Sequence, residues 1–397
     1  MRTLLLFAAA WCAVPAWAQE AVPVPGLPAR PAVPAPQVPS LSPSEVLPAS
    51  TATEAFEWQP RPVTTFDVAR RARVAPLTVR QALDAFYARA NGAGIQDTWP
   101  DLSAYFEVHP EAMAVAHAER RARKMPINAI VPFSIALGKT RVPDARALLL
   151  AVVRDVSETP MDRTRAMFAL VDRDDVGVDF AEELSRMATA SAAGHAEVFL
   201  KGEAMLALSM MAGLKRKDAA LHDVSARAVQ ALLATGAPND SRIAMKAIGN
   251  MADPALLPLA VPVSRHADPY VRQEAAYAFR RLNPVHSEAL VVGWLATEKH
   301  PFVKARLYQI AQLQHFDLHT GASEALTRQA LKDLPSFSSG VDRRTVIRLV
   351  AQSSVRQAAW VRDALVAQAR FEHQRNTGYL NEFTDVLTPA EMWKVLR

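Results

Sequence analysis

An all-α chain of stacked helical hairpins is the fold this sequence predicts. Three observations predict it. Apolar residues recur at helical spacing from Pro62 onward, with no convincing run of alternating strand pattern. A signature of Ala-x-x-Ala plus a large apolar residue returns at quasi-regular intervals. Glycine and proline then recur at matching places behind two of the copies.

The chain starts with Met1-Arg2, an apolar run from Leu4 to Val14, and Ala16 and Ala18 at the small-residue positions of a cleavage site. Residues 1–18 are therefore expected to be a secretory signal peptide, cut after Ala18. The apolar run is too short for a membrane span. Trp11 precedes Cys12 where a lipobox needs a small residue, which argues against acylation. Cys12 is the only cysteine, so an exported mature chain has no disulfide and no thiolate metal site. The expected location is periplasmic or secreted. No later apolar run reaches spanning length, so the mature chain is not expected to cross a membrane.

Residues 19–62 hold eleven prolines, most separated by one or two residues of Ala, Val or Leu. Proline fixes φ and lacks the amide donor, so this segment is expected to be a disordered, partly polyproline tether. Residues 63–125 turn helical. In "PLTVRQALDAFYARANG", Val79, Leu83, Phe86 and Tyr87 share one face, and Asn91-Gly92 marks the stop. Short helical pieces follow, broken at Pro110. This segment is expected to cap the array that occupies 126–397.

Within the array, "ADPYVRQEAAYAFRRL" (Ala267 to Leu282) is followed by "KHPFVKARLYQIAQL" (Lys299 to Leu313). Asp268 can cap a helix and Pro269 fits its first turn. Val271, Ala275, Ala278, Phe279 and Leu282 form one stripe. Pro301, Val303, Leu307, Ile310 and Ala311 match it, and Gln314 replaces the last apolar residue. His300 takes the place of Asp268. Across the chain the repeated position falls at Ala136, Ala169, Ala207, Ala247, Ala278 and Ile310, in steps of 33, 38, 40, 31 and 32 residues. Gly138 and Gly249 follow two residues behind their anchors, and Pro143 and Pro254 seven behind. The glycine is expected to end a first helix and the proline to start a second. One hairpin cannot hide its own apolar faces, so the copies must stack.

The "DPYVRQEAAYAF" and "HPFVKARLYQIA" stretches resemble HEAT repeats, whose first helix often opens with Asp-Pro-x-Val-Arg. The likeness runs from about Pro126 to Val350. It implies a right-handed α–α superhelix whose second helices line the inner face. Those helices are expected near Asp144–Arg154, Asp179–Ala190, Asp218–Leu233, Ala255–Arg265 and Ser287–Glu298. "MKAIGNMADPALLPLAVPV" is also similar, over fewer residues, to the helical N-terminal region of vitellogenin-type lipid transfer proteins. That likeness implies a lipid or hydrophobic-ligand carrier as the alternative, with a groove lined by Leu and Val.

No Gly-x-Ser-x-Gly elbow, phosphate-cradling glycine loop or His-Glu-x-x-His helix occurs. No catalytic residue and no cofactor are expected. Asp172, Asp174 and Glu183 fall at positions 1, 3 and 12 of a calcium-loop pattern, but Val176 stands where an oxygen ligand belongs. A turn between two helices explains the segment, with Asp179 and Glu182 as a capping box. "HFDLH" sets His315 and His319 four apart with no third ligand in view. The net charge is +5, and basic clusters lie at Arg70–Arg73, Arg120–Lys124, Lys215–Lys217 and Arg343-Arg344. They are expected to be solvated helix faces. Nucleic acid is not an expected partner of an exported chain, and an anionic polymer would need the clusters on one side. The expected function is non-catalytic binding or scaffolding, with another envelope or secreted protein as partner.

Overall fold

The computed structural model describes residues 65–92, 95–282, 284–317 and 321–397, all within the unit Pro43–Arg397. The expected signal peptide and its cleavage site, and the tether up to Pro62, lie outside these residues.

The described residues are helical, with no strand among them. In chain order the helices are α1 (Thr65–Val74), α2 (Val79–Gly92), α3 (Ile95–Val108), α4 (Glu111–Arg121), α5 (Ile127–Lys139), α6 (Pro143–Arg154), α7 (Pro160–Val171), α8 (Val178–Thr189), α9 (His195–Leu214) and α10 (Ala219–Ala234). They continue with α11 (Pro238–Met251), α12 (Leu257–Val263), α13 (Pro269–Tyr277), α14 (Pro284–Thr297), α15 (Pro301–Asp317), α16 (Glu324–Asp333), α17 (Gly340–Ala351), α18 (Ala359–Arg375) and α19 (Pro389–Leu396). None of them is long and apolar enough to cross a membrane.

Packing follows an alternating rule. Each odd helix from α1 to α15 packs on the next odd helix, so α1 to α17 form an unbroken row. Even helices pack chiefly on the odd helix that follows, as in α6 on α7, α8 on α9 and α10 on α11, rather than on the anchor helix before them with which the sequence pairs them. The sequence anchors explain the row. Ala136, Ala169, Ala207, Ala247 and Ile310 lie on α5, α7, α9, α11 and α15, Ala278 caps α13, and all six are buried. The stripe Val271, Ala275, Ala278, Phe279 and Leu282 is buried throughout. The regular helix nevertheless ends at Tyr277, and the last three stripe residues sit in the turns that follow.

The glycines behind the anchors do not end their helices. Gly138 and Gly249 lie inside α5 and α11. Each marks a close approach instead. A Cβ on Gly138 would stand 2.6 Å from the Ala169 carbonyl oxygen, and one on Gly249 would stand 2.6 Å from that of Tyr277. Both are contacts with the next odd helix of the row. Pro143 does open α6, as expected. Pro254 opens a short 3-10 turn before α12, where the Asp253 side chain accepts from the Ala255 amide.

Side chains also staple one odd helix end to the previous one. Helix C-termini carry unpaired carbonyls that need donors. Buried Arg173, just past α7, donates to Leu137 O (3.0 Å), Thr140 O (2.7 Å) and Val142 O (3.2 Å) at the end of α5. Gln314 on α15 donates to the carbonyls of Phe279 and Leu282 behind α13, at 2.9 Å for Leu282. The polar residue that shortens the apolar stripe is thus buried because it takes over two orphan carbonyls. The Ser354 amide and hydroxyl donate to Ala322 O in the same manner.

Candidate functional site

Helices α6, α8 and α10 begin close to the expected positions and belong to the even set. Their apolar residues face inward, with Leu149, Val153, Phe180, Leu184, Val224 and Leu232 buried. Their outward residues are charged or small. Arg154 reaches from α6 to Glu183 on α8, with Nη2 at 2.7 Å and Nε at 3.0 Å from the two carboxylate oxygens. Arg227 on α10 reaches Glu182 on α8 at 3.1 Å. Acid and base therefore alternate across three successive helices. The Glu183 carboxylate raises the Arg154 guanidinium above its ordinary pKa through its hydrogen bond. Exposed pairs of this kind contribute little to stability, about 0–1 kcal/mol each. Their consequence is a patterned potential on an exposed face.

Arg154, Glu183, Arg186, Met187 and Ala190 line an open depression of about 570 Å³ on this face. Met187 is its one large apolar wall. Arg186 has a 3.4 Å bond to Glu182 O and is otherwise turned to solvent.

The calcium-pattern carboxylates over 172–183 are not gathered into a metal-holding group among the described residues. Asp172 pairs with Lys139 at 2.9 Å, Glu183 with Arg154, and Asp174 is exposed. Lys215, at the end of α9, donates to the carbonyls of Arg173 (2.8 Å) and Val176. The ammonium is therefore held by two carbonyls of this loop. Burial lowers its pKa, and the surrounding Asp174, Asp218, Asp175 and Asp172 oppose that shift. Lys215→Met strands these two carbonyls and is expected to cost about 1–2 kcal/mol in urea denaturation. An unchanged midpoint would show that the ammonium is not needed there.

The capping box expected at Asp179 and Glu182 does not form. Gly177 is the N-cap of α8, without a side-chain cap bond, and Glu182 turns to Arg227. Similarly, His300 does not cap α15. Glu298 accepts the backbone N–H groups of Lys299 (3.0 Å) and His300 (2.8 Å), while Arg272 holds its carboxylate. A carboxylate is a strong acceptor for such orphan amides. Asp268 does cap α13, accepting from the Tyr270 amide at 2.8 Å. His315 pairs with Glu288 at 2.9 Å, and His319 lies outside the described residues. No group of three metal-ligating side chains occurs among the described residues.

One titratable group escaped the sequence reading. Glu203 on α9 looks unremarkable in the chain, but its carboxyl is pushed up to about 7 by burial, with Lys246 on α11 opposing the shift. Lys246 itself pairs with Glu274 at 3.4 Å. A raised carboxyl favours the folded state fully below the ordinary carboxylate pKa. That contribution is lost as pH rises through about 7. Partial access to water holds the loss to about 1–2 kcal/mol. Urea melts at pH 5 and pH 8 should differ by this amount, and Glu203→Gln should remove the difference. Equal pH dependence in the variant would exclude Glu203 as its source.

No protein-family model matches this chain, and a search of curated proteins finds no match either.

Proposed function

We propose that this chain is an exported, non-catalytic binding protein that presents the even-helix face to another envelope or secreted protein. Its helices are read as a HEAT-like, right-handed superhelix, supported by the unbroken odd row and by the buried anchors at each step. One observation carries the functional reading. The α6–α8–α10 face alternates acid and base and ends in an open depression with two arginines and a glutamate. Such a surface is complementary to a patterned, charged protein surface. A lipid carrier calls for Leu and Val in that place, so the wall chemistry favours the protein partner.

The test is capture from an envelope extract by the chain from Gln19 onward, alongside an Arg154→Glu, Arg227→Glu variant, with mass spectrometry of proteins and lipids. The expected result is a protein partner retained by the wild-type chain and lost by the variant. Co-purified lipid without a protein partner would move the reading to the carrier.

A further inference from the structure

The four basic clusters differ in what they touch. Arg70, Arg71 and Arg73 pair with Asp101 or Glu107. Arg120 and Arg121 pair with Glu158. Arg343 and Arg344 pair with Glu372 and Glu382. Arg216, of the Lys215–Lys217 cluster, departs from this pattern. Its Nε donates to the uncharged Gly213 O at 3.2 Å. Arg281, behind α13, also bonds an uncharged oxygen, Asn250 O, through Nη1 at 3.2 Å. Neither guanidinium is hydrogen-bonded to a carboxylate.

The backbone brings the two together. Gly213 packs flush against Asn250, so closely that any Cβ on it would overlap the Asn250 carbonyl oxygen. The two anchoring carbonyls thus belong to residues in direct contact. Both residues reach solvent, while their anchoring hydrogen bonds are part-buried. Among the described residues, each guanidinium commits a single N–H group, to its anchor carbonyl. Like charges therefore sit side by side with fixed stems. Burial lowers the Arg281 pKa, Tyr277 opposes that shift, and the nearby Arg216 charge lowers it further. Behind it, Arg280 spends its donors on Tyr277 O, Lys246 O and the Asn250 side chain, adding positive charge without a carboxylate bond. Asp218, two residues from Arg216, caps α10 by accepting from the Leu221 amide at 3.2 Å. Asp253, whose carboxyl His222 and also the Arg216 charge hold below the ordinary range, accepts from the Ala255 amide at 2.9 Å and pairs with His222 at 3.5 Å.

We propose that Arg216 and Arg281 form a clamp for a phosphate-type oxyanion at the joined ends of α9, α11 and α13. Two planar guanidiniums held by one donor each can offer paired N–H groups to oxygen atoms of such an anion. The site is distinct from the α6–α8–α10 face, and its ligand is either a soluble phosphorylated molecule or a phospholipid headgroup.

Titration calorimetry of the full chain with inorganic pyrophosphate at low salt tests the clamp. Arg216→Ala and Arg281→Ala are each expected to weaken binding roughly ten- to a hundredfold. Arg73→Ala, at a carboxylate-paired arginine, should leave binding unchanged. Arg216→Ala removes one hydrogen bond, to its own helix end, and a charge near Asp253, so it keeps the test valid if Arg281→Ala unfolds. Lack of binding to the wild-type chain, or equal binding by Arg216→Ala, overturns the proposal. Sedimentation with phosphatidylglycerol vesicles separates the sources. Vesicle binding lost in the same variants assigns a headgroup. Pyrophosphate binding without vesicle binding assigns a soluble ligand.

Discussion

Replacing Gly213 by alanine is expected to lower the stability of the folded chain by about 3 kcal/mol, while Gly202→Ala in the same helix raises it by up to about 1 kcal/mol. Both glycines lie in α9, and both substitutions improve intrinsic helix propensity. The difference is what the new methyl group meets. At Gly202 it reaches the Ile243 side chain at 3.6 Å, an ordinary contact. At Gly213 it meets the backbone of Asn250, which belongs to the next odd helix and cannot rotate away. Overlap with backbone must be relieved by moving α9 against α11, which disturbs the buried row on both sides. Urea denaturation of the two variants checks the opposite signs. A shared sign would mean that the odd helices are not held at this spacing.

The second large effect is expected at Arg173. Arg173→Met should cost about 3 kcal/mol, because it strands the carbonyls of Leu137, Thr140 and Val142 in a buried setting. The Asp175 carboxylate, which Arg173 holds below the ordinary carboxylate range, would return to water at little further cost because it is already exposed. Arg173→Lys should recover part of the loss, since a lysine supplies charge but cannot span three acceptors. Denaturation midpoints of both variants measure this. Equal stability of the wild-type and Met forms would show that water serves these carbonyls equally well.

The period was legible in the chain because it is written in residue size. Alanine at five of the six anchors lets odd helices approach, so the anchors mark the buried row. Helix starts at Pro143 and Asp268 were legible because a first-turn proline and a capping aspartate act locally. What escaped depends on partners some 30 to 40 residues away. Gln314 reads as a polar interruption until the carbonyls of Phe279 and Leu282 are placed beside it. Gly138 and Gly249 read as helix stops, because local propensity says nothing of the neighbouring backbone. Lys215 reads as part of a basic run, whereas its ammonium closes a loop that its own cluster gives no hint of. The Arg154–Glu183 and Arg227–Glu182 pairs were equally hidden, because they join helices that the sequence separates. The even helices themselves could be named in advance, and the charge pattern across them could not.

The most direct measurement is site-specific cross-linking in an envelope extract, using single cysteines in a Cys12→Ser background. Ala151 on α6 and Ala231 on α10 are exposed on the even helices, and Leu313 is exposed on α15 of the odd row. Binding through the even-helix face predicts one protein cross-linked from Ala151→Cys and Ala231→Cys and none from Leu313→Cys. The same partner trapped from Leu313→Cys but from neither even-helix position would contradict it.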